Sequence, residues 1–395
     1  LVPWRNELSA IGDPINERIT KGTVKALRAR IALFRAGFSL RKNGQMLQGS
    51  NPATYYRIAL DECNDIITSG QHSLNPSFKA LWKDQVGARV SADPNGELMF
   101  QASGSGRTGV GDTKLGYYNG PAVNSYGNKS INVLPSYFYA FDSTDTRRDV
   151  TCAAYNVNAD GLTKVGQAIT AINDGKYRRD WISNPTISPT DAIQYFSLKW
   201  QIIRYSDVLL MHAEAENQLN GPTAAAYNDV NQVRRRGYGK AITTANATVD
   251  LPTGLSQADF FKAIVKERSL ELGGEGIRKY DLIRWNLLAS TIASTKATLL
   301  AMSTLSGTWA SLPTSMYFKT NNTADDVAAW SNSFYKTAPT STPTGTTKVT
   351  WMSAAINTTA LSRFATGFTT GKSELLPIPQ PVLDANFNMK QNPGY

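Results

Sequence analysis

Residues 204–219 read RYSDVLLMHAEAENQL, a run in which apolar residues recur at helical spacing. The pattern predicts a helix from Ile202 to Leu219 and a second helix from Thr223 to Arg236. Between them stand Asn220, Gly221 and Pro222, which together form a typical helix stop. We therefore expect the two helices to form a pair.

A similar, antiparallel helix pair is predicted near the start of the chain, over residues 16–70. Its first helix runs from about Asn16 to Phe34, and its second begins at Asn51 and Pro52 and stops at Gly70. Proline suits the first turn of a helix because the amide proton it lacks has no helical partner there. Apolar residues at helical spacing support both helices: Val24, Leu27, Ile31 and Phe34 in the first, and Tyr56, Ala59, Cys63 and Ile67 in the second.

Two more helices complete a predicted helical-repeat core over residues 201–290. Ser256 and Asp259 resemble a capping box that begins one helix, and the other runs from about Ile277 to Leu288. Helix pairs with small residues at their contacts suggest tetratricopeptide-like units, although no strict repeat period is present. The predicted fold class is therefore mostly α, with long irregular loops and a few short strands.

The helical segments are separated by long irregular stretches. Residues 71–200 are rich in Gly, Asn, Ser and Tyr and contain one short predicted strand, Glu97–Gln101, whereas residues 303–372 are rich in Ser and Thr. Loops of such length inside a folded protein usually form functional surfaces. With no clean linker, we expect residues 1–395 to form a single body that ends in a C-terminal strap, residues 373–395.

Charge and cysteine content exclude several classes of protein. The net charge of +10 is scattered, and its densest run, Arg234–Arg236, precedes Gly237, where arginines complement the negative end of a helix. The sequence therefore predicts no nucleic-acid partner. Cys63 and Cys152 are too few for a disulfide scaffold, and no apolar run approaches the ~20 residues that span a bilayer.

Sequence motifs for catalysis and for cofactor or metal binding fail on context. Residues 104–109 match G-x-G-x-x-G, but loop-forming residues follow where a dinucleotide site needs a helix. His72 and His212 are the only histidines, and neither has a metal-ligand partner at a usual spacing. His212 lies in an apolar helix, where we expect a hydrogen-bonded packing role. We therefore predict no cofactor, no metal site and no catalytic residue.

Three glutamates at four-residue intervals are the remaining candidates for catalysis, as in a glycoside hydrolase. They are Glu267, Glu271 and Glu275. Nearby arginines are expected to act as their counter-charges and to lower the carboxylate pKa values, which is the wrong direction for a general acid. The arginines in question are Arg268, Arg278 and Arg284, with Asp281 close by.

Several blocks of the sequence resemble the SusD/RagB family of surface nutrient-binding proteins. They are residues 204–219, NDVNQVRRRG at 228–237, KERSLELGGEGIRKYDLIRW at 266–285, and the ending with LLPIPQ at 375–380 and QNPGY at 391–395. TKGTVKALRARIALF at 20–34 and ELMF at 97–100 resemble earlier parts of the family pattern. The family's segment before the first helix pair, which begins at a lipidated cysteine, has no counterpart in these 395 residues.

The resemblance implies a non-catalytic protein on the external face of the outer membrane, held there only by an N-terminal lipid. Such a protein captures an oligosaccharide or polysaccharide and delivers it to a SusC-like TonB-dependent transporter. Aromatic rings in the irregular middle are the ligand-binding candidates, because sugars stack their C–H faces on such rings. These candidates are Tyr117, Tyr118, Tyr126, Tyr137 and Trp181. A glycoside hydrolase and a helical-repeat adaptor that binds only protein remain as alternatives.

Overall fold

Helices dominate the structure, a computed structural model that describes residues 2–10, 12, 14–104, 113–183 and 188–395. Most of the long helices lie in two groups, one before residue 70 and one between residues 205 and 303. The helices are α1 (Arg5–Ser9), α2 (Lys21–Ala36), α3 (Pro52–Thr68), α4 (Phe78–Ala80), α5 (Pro135–Phe138), α6 (Arg147–Thr151), α7 (Tyr205–Asn220), α8 (Ala224–Gly237), α9 (Gln257–Glu271), α10 (Arg278–Arg284), α11 (Leu288–Ser303) and α12 (Gln380–Ala385).

The strands of the described residues pair into two-stranded antiparallel sheets. They pair as β1 with β2, β3 with β8, β4 with β7, β5 with β6, and β9 with β10. The strands are β1 (Phe38–Leu40), β2 (Met46–Gln48), β3 (Leu98–Ala102), β4 (Cys152–Ala153), β5 (Tyr155–Val157), β6 (Lys164–Gly166), β7 (Asn173–Asp174), β8 (Trp200–Arg204), β9 (Ser315–Lys319) and β10 (Thr346–Thr350).

The first hydrophobic core lies where α2 packs on α3, α3 packs on α7, and α7 packs on α8 and α9. Alanines fill much of the contact, including Ala26 and Ala29 of α2 and Ala213 and Ala215 of α7, all fully buried. Small residues at these positions let the helix axes approach closely. The predicted mostly-α fold of helix pairs is therefore confirmed.

Several predicted helix boundaries are wrong by a few residues. The first long helix begins at Lys21 rather than Asn16, because the hydroxyl of Thr20 caps it by accepting a 3.2 Å hydrogen bond from the amide of Thr23. Asn16 lies in a separate single turn of 3-10 helix. The helix predicted from Ile202 begins at Tyr205, because residues 200–204 form strand β8 and pair with β3.

The largest error concerns the helix predicted to end at Leu288. In the structure α10 ends at Arg284, and a separate helix, α11, begins at Leu288. Its alternating Ala, Ser and Thr residues leave only four buried side chains, so no strong apolar period marked it. Leu299 and Met302 of α11 pack in a second hydrophobic core. This core also contains Phe138, together with Trp351 and other residues of the Ser/Thr-rich stretch.

The C-terminal strap is folded back on itself. The Gln391 side chain accepts a 2.8 Å hydrogen bond from the amide of Ile378 and donates one of 2.9 Å to its carbonyl. The hydroxyl of Tyr395 donates to the carbonyl of Leu375 at 3.1 Å. The short helix α12 forms the turn of this loop, because prolines in its first turn are compatible with a helix start.

A close approach between two parts of the fold occurs at Gly37, just after α2. A Cβ atom built on Gly37 would lie 2.5 Å from the carbonyl oxygen of Arg284 at the end of α10. We expect Gly37→Ala to lower the free energy of unfolding by about 1–3 kcal/mol, because backbone must move to admit the methyl group. Gly367→Ala is the matched control, since a Cβ there meets nothing within 4 Å. Equal stability changes in urea denaturation of the two variants would contradict this expectation.

Candidate functional site

Three of the predicted ligand-binding tyrosines lie on one loop of the irregular middle, residues 117–131. Tyr118 and Tyr126 are exposed, whereas Tyr117 is partly buried and its ring meets that of Tyr118 edge to face at 5.2 Å. The loop doubles back, because the carbonyl of Tyr117 accepts a 2.7 Å hydrogen bond from the amide of Asn128. These three side chains therefore share a surface lobe.

The loop is fixed against the β5–β6 hairpin through Val157. The amide of Val157 donates to the carbonyl of Ala122 at 2.9 Å, and its carbonyl accepts from the amide of Asn124 at 3.0 Å. The side-chain oxygen of Asn156 accepts a further bond of 3.1 Å from the amide of Ala122. Paired hydrogen bonds of this kind hold loop and hairpin in register.

A polar pocket of 430 Å³ lies in the angle between this loop and the hairpin. Its volume falls in the range of small-molecule sites. Tyr126 is exposed and lies in the chain between two of the lining residues, Ser125 and Gly127, while its own side chain is not part of the lining. The lining residues are Ala122, Asn124, Ser125, Gly127, Lys129, Asn156, Val157, Asn158, Ala159, Val165 and Gln167.

The backbone beside the pocket is strained. Asn124, Ser125 and Lys129 have φ angles of 51°, 63° and 54°, in the left-handed region that side chains other than glycine enter at a cost. Such residues tend to cluster at binding sites, where the surrounding structure holds them in place. The strain makes residues 124–129 a candidate for a functional loop.

The chemistry of the pocket suits a neutral, hydroxyl-rich ligand. Four side-chain amides line it, those of Asn124, Asn156, Asn158 and Gln167, and Lys129 adds donors. Three of these amides also bond within the protein: those of Asn124 and Gln167 donate to main-chain carbonyls, and the oxygen of Asn156 accepts from a main-chain amide. Among the described residues that line it, none has a carboxylate, imidazole or thiol. The lining therefore provides for recognition and contains no acid–base pair of the usual catalytic types.

Tyr137 lies against α9 and outside the lining of the amide pocket. Its hydroxyl donates a 2.8 Å hydrogen bond to the carbonyl of Ser269, and burial raises the pKa of that hydroxyl. It borders a larger, mostly apolar pocket of 660 Å³ beside α11. Its ring packs edge to face on Phe141 at 5.2 Å. The same pocket is lined by Ile131, at the end of the loop that carries Tyr118 and Tyr126, and the amide of Ile131 donates to the carbonyl of Tyr118 at 3.3 Å.

Trp181 is largely buried and reaches the wall of a pocket of 300 Å³. It is buried, its indole nitrogen donates to the carbonyl of Asp326 at 3.2 Å, and the guanidinium of Arg178 covers its ring at 4.1 Å. A sugar could not stack on a ring face that a guanidinium already occupies. We therefore leave Trp181 out of the candidate site and place it with the packing around Phe196 and Leu198.

The glutamates considered for catalysis are buried in a central charge cluster. Glu271 accepts hydrogen bonds from Arg236 at 2.6 Å, from Arg204 at 3.0 Å and from Arg147 at 3.3 Å. Burial alone would raise its pKa, but these cations together lower it to about 2. The cluster consists of Glu97, Arg147, Lys176, Arg204, Arg236, Glu267, Glu271 and Glu275.

The predicted counter-charges for these glutamates are wrong. Arg268 pairs with Asp207 at 2.6 Å and with Asp281 at 2.8 Å, and Arg284 pairs with Asp281 and with Glu214. Arg278 donates to the carbonyl of Val265. Those arginines lie near the glutamates in sequence but point to other partners. The predicted direction holds for Glu271 and for Glu275, whose pKa is lowered by Arg204 and Lys176 against the effect of burial.

The arginine run at the end of α8 has individual partners. Arg234 pairs with Glu267 at 3.0 Å, Arg235 with Asp250 at 2.5 Å and Arg236 with Glu97 at 3.0 Å. The run does lie in the last turn of a helix, as predicted. Because each of these charges has a carboxylate partner within the protein, the run does not form a basic surface for nucleic acid.

Both histidines are held by hydrogen bonds. The Nδ1 atom of His212 lies 2.5 Å from a carboxylate oxygen of Asp229, and its Nε2 lies 3.0 Å from the side-chain oxygen of Asn64, so the predicted packing role is confirmed. His72 lies 2.8 Å from the carbonyl of Gly96, and burial lowers its pKa to about 4. In the described residues no cluster of His, Cys, Asp and Glu could hold a metal ion. Of the glycine motif at 104–109, residues 105–109 lie outside the described residues.

The amides of the pocket were missed from the sequence. Asn156 and Asn158 stand two residues apart, so they point to the same side of an extended segment, and this spacing was the available signal. It is weak, because asparagine is frequent in any turn. Only the fold shows that Asn124 and Gln167 lie beside them.

None of the helices within the described residues combines the length and the apolar character needed to span a membrane.

Comparisons with known proteins agree on one family. The model of the SusD family matches residues 140–395. SusD-like protein P25 of Formosa agariphila is 45% identical over 91 residues, which are 23% of this chain and 16% of that protein. The chain thus matches a small part of this relative.

Solved structures show the same fold. A SusD homolog from Bacteroides thetaiotaomicron VPI-5482 superposes with a TM-score of 0.69 at 23% identity, covering 100% of this chain and 67% of that one. A surface glycan-binding protein A from Bacteroides thetaiotaomicron, in complex with laminarihexaose, gives a TM-score of 0.53 at 19% identity, covering 95% of this chain and 64% of that one. Each of these two solved chains extends beyond the part that this protein covers.

Proposed function

The chain belongs to the SusD family, and on that basis we propose that it binds an oligosaccharide at the bacterial cell surface. We further propose that it acts without breaking bonds and delivers the glycan to a TonB-dependent transporter in the outer membrane. An N-terminal lipid would hold the protein on the external face. The complex of a structural relative with laminarihexaose supports a glycan as the ligand class.

The observation that carries this proposal is the amide-lined pocket, which is formed partly by the loop that carries the exposed Tyr126. Side-chain amides can both donate to and accept from sugar hydroxyls, and an aromatic ring can stack on the C–H face of a sugar. Ser125 and Gly127, on either side of Tyr126, line the pocket, and main-chain hydrogen bonds to Val157 hold the loop in place. We propose that Tyr126 and the pocket amides contact the same ligand.

The described glutamates that were considered for a glycoside hydrolase do not form a suitable catalytic site. Glu271 and Glu275 have lowered pKa values and are buried among cations, so neither can act as a general acid near neutral pH. The pocket at Tyr126 has no carboxylate in its lining, as described above. A protein-binding adaptor would not need the amide-lined pocket, so the presence of this pocket favours a glycan as the ligand.

We expect Tyr126→Ala to weaken glycan binding about tenfold, which corresponds to about 1.4 kcal/mol, while the protein stays folded. Calorimetric titration with a panel of soluble oligosaccharides that includes laminarihexaose measures the effect, and chromatography of the mixtures detects cleavage products. Tyr280→Ala is the matched control, because Tyr280 is also an exposed tyrosine but lies on α10.

Each outcome bears on the proposal. Equal binding by both variants would remove Tyr126 from the site, release of shorter sugars would favour a hydrolase, and no binding to any glycan would favour the adaptor. Co-purification with the transporter encoded beside the gene would support delivery, and its failure in mild detergent would count against that step alone.

A further inference from the structure

The pocket of 660 Å³ that Tyr137 borders has no part in the proposed glycan site. We call it the α11 pocket, because one side of α11 lines it with Leu288, Thr291 and Thr295, at intervals of three and four residues. Its volume falls within the range of small-molecule sites. The α11 pocket is therefore large enough for a ligand of its own.

Apolar side chains from three parts of the chain form most of the pocket wall. They include Ile131 and Leu134, which precede α5, Leu282 of α10 and Ile292 of α11. Ile131 is 47% exposed, so this apolar wall is open to water. Displacing that water with an apolar group is favourable. The wall therefore favours a ligand with an apolar body.

One part of the wall is polar and contains a hydroxyl group without a partner. Thr151 and Asp174 both line the pocket and are neighbours at the β4–β7 pairing, where the carbonyl of Thr151 accepts a 2.8 Å hydrogen bond from the amide of Gly175. The hydroxyl of Thr151 is buried and has no hydrogen-bond partner among the described residues. Such a group is unfavourable unless a ligand or water bonds to it.

The turn between α9 and α10 brings a second oxygen towards Asp174. A Cβ atom built on Gly274 would lie 2.7 Å from the Oδ1 atom of Asp174, and one built on Gly273 would overlap the hydroxyl oxygen of Tyr137. Because neither glycine has a side chain, both oxygens can lie against this turn. The polar part of the wall thus combines the side-chain oxygens of Thr151, Asp174 and Tyr137.

A charged ligand suits this wall less well than a neutral one. Arg278 and Lys279 also line the pocket, but the guanidinium of Arg278 already donates to the carbonyl of Val265, and Lys279 is exposed to water. An anionic ligand would meet the carboxylate of Asp174, and a cationic ligand would meet those two basic side chains. A neutral hydroxyl avoids both conflicts.

The hydrogen bonds still available match a hydroxyl group on the ligand. Asp174 accepts from the side chain of Asn119 at 2.9 Å and from the amide of Lys176 at 3.2 Å, and a carboxylate can accept more than two bonds. The hydroxyl of Thr151 can donate as well as accept. We propose that the α11 pocket is a second ligand site, which binds a neutral phenol or alcohol with an apolar body through Thr151 and Asp174.

Two probes that differ in one group test this site, which is independent of the glycan site. The probes 2-naphthol and 2-methylnaphthalene share a ring system and carry a hydroxyl and a methyl group respectively. We expect Thr151→Val to weaken binding of 2-naphthol about fivefold and not to weaken binding of 2-methylnaphthalene, because only the first loses a hydrogen bond. Equilibrium dialysis measures both affinities. Valine has a similar shape and removes the unpartnered hydroxyl, so the variant should stay folded.

A matched pair of tryptophan variants locates the probes. Thr295→Trp adds a large side chain to the pocket wall and should abolish binding of both probes, whereas Ala297→Trp, at an exposed position of α11 outside the lining, should leave it unchanged. Circular dichroism checks that both variants fold.

Several results would overturn the proposal. They are no binding of 2-naphthol to the wild type, binding that both tryptophan variants retain, and equal weakening of both probes by Thr151→Val. Tighter binding of 2-naphthoate than of 2-naphthol would also overturn it, because the ligand would then be an anion held by Arg278 and Lys279.

Discussion

Replacing Glu271 by glutamine is expected to lower the free energy of unfolding by about 3–5 kcal/mol. The substitution keeps the size of the side chain but removes the negative charge that faces Arg147, Arg204 and Arg236. Those guanidinium groups are buried, so water cannot replace the lost charge. Urea denaturation followed by circular dichroism measures the change.

Glu7→Gln makes the same chemical change at an exposed position of α1 and should leave stability within about 0.5 kcal/mol of the wild type. Glycan binding by folded Glu271→Gln should persist, because the charge cluster lies apart from the pocket at Tyr126. A Glu271→Gln variant as stable as Glu7→Gln would show that the cluster contributes nothing to the fold.

The same carboxylate should make stability depend on acid pH. Its pKa is about 2 in the folded protein and 4.5 as the ordinary value, so its contribution is complete above pH 4.5 and is lost as the pH falls towards 2. The stability difference between wild type and Glu271→Gln should therefore shrink over this pH window. A difference that stays constant from pH 6 to pH 3 would contradict the assignment.

Replacing Trp351 by alanine is expected to cost about 3–5 kcal/mol of folding free energy. This side chain lies fully buried in the second core, against Phe334 at 5.1 Å, and its indole nitrogen donates to the hydroxyl of Tyr139 at 2.9 Å. Alanine would leave both a large cavity and a hydroxyl without its donor. Thermal and urea unfolding both report the loss.

The control is Trp4→Ala, since Trp4 is only partly buried and its ring contacts the ammonium group of Lys21 at 5.3 Å. Its cost should stay near 1 kcal/mol. If Trp351→Ala were equally mild but weakened glycan binding, residues 303–372 would be a ligand surface and not part of the core.

The helices could be predicted where an apolar period and a cap coincide. At Thr223 and at Ser256 both signals are present, and the structure shows both capping hydrogen bonds. Strand β8 was missed because Ile202 and Ile203 continue the apolar run of α7, and only pairing with β3 distinguishes a strand there. Helix α11 was missed because its buried residues are few.

For the candidate site, the types of residue could be predicted from the sequence, but not which residues lie next to one another in the fold. Tyr118 and Tyr126 are exposed on one loop, as a binding role requires, while Trp181 is enclosed by Arg178 and the main chain of Asp326. Amino-acid composition does not show which side chains of a loop are covered by the rest of the protein. That depends on contacts between residues far apart in sequence, which no local pattern encodes.

The central charge cluster also affects where the polypeptide could be cut into parts that fold separately. Glu97 lies outside residues 140–395, the region matched by the family model, yet it accepts hydrogen bonds from Arg204 and from Arg236, 139 residues away. Excising the matched region would remove one carboxylate partner from each of two buried guanidinium groups. Because these ion pairs join the two sides of residue 140, we expect both sides to unfold in one cooperative transition. The family match thus begins at residue 140 because sequence similarity begins there. We expect the unit that folds cooperatively to include residues on both sides of that position.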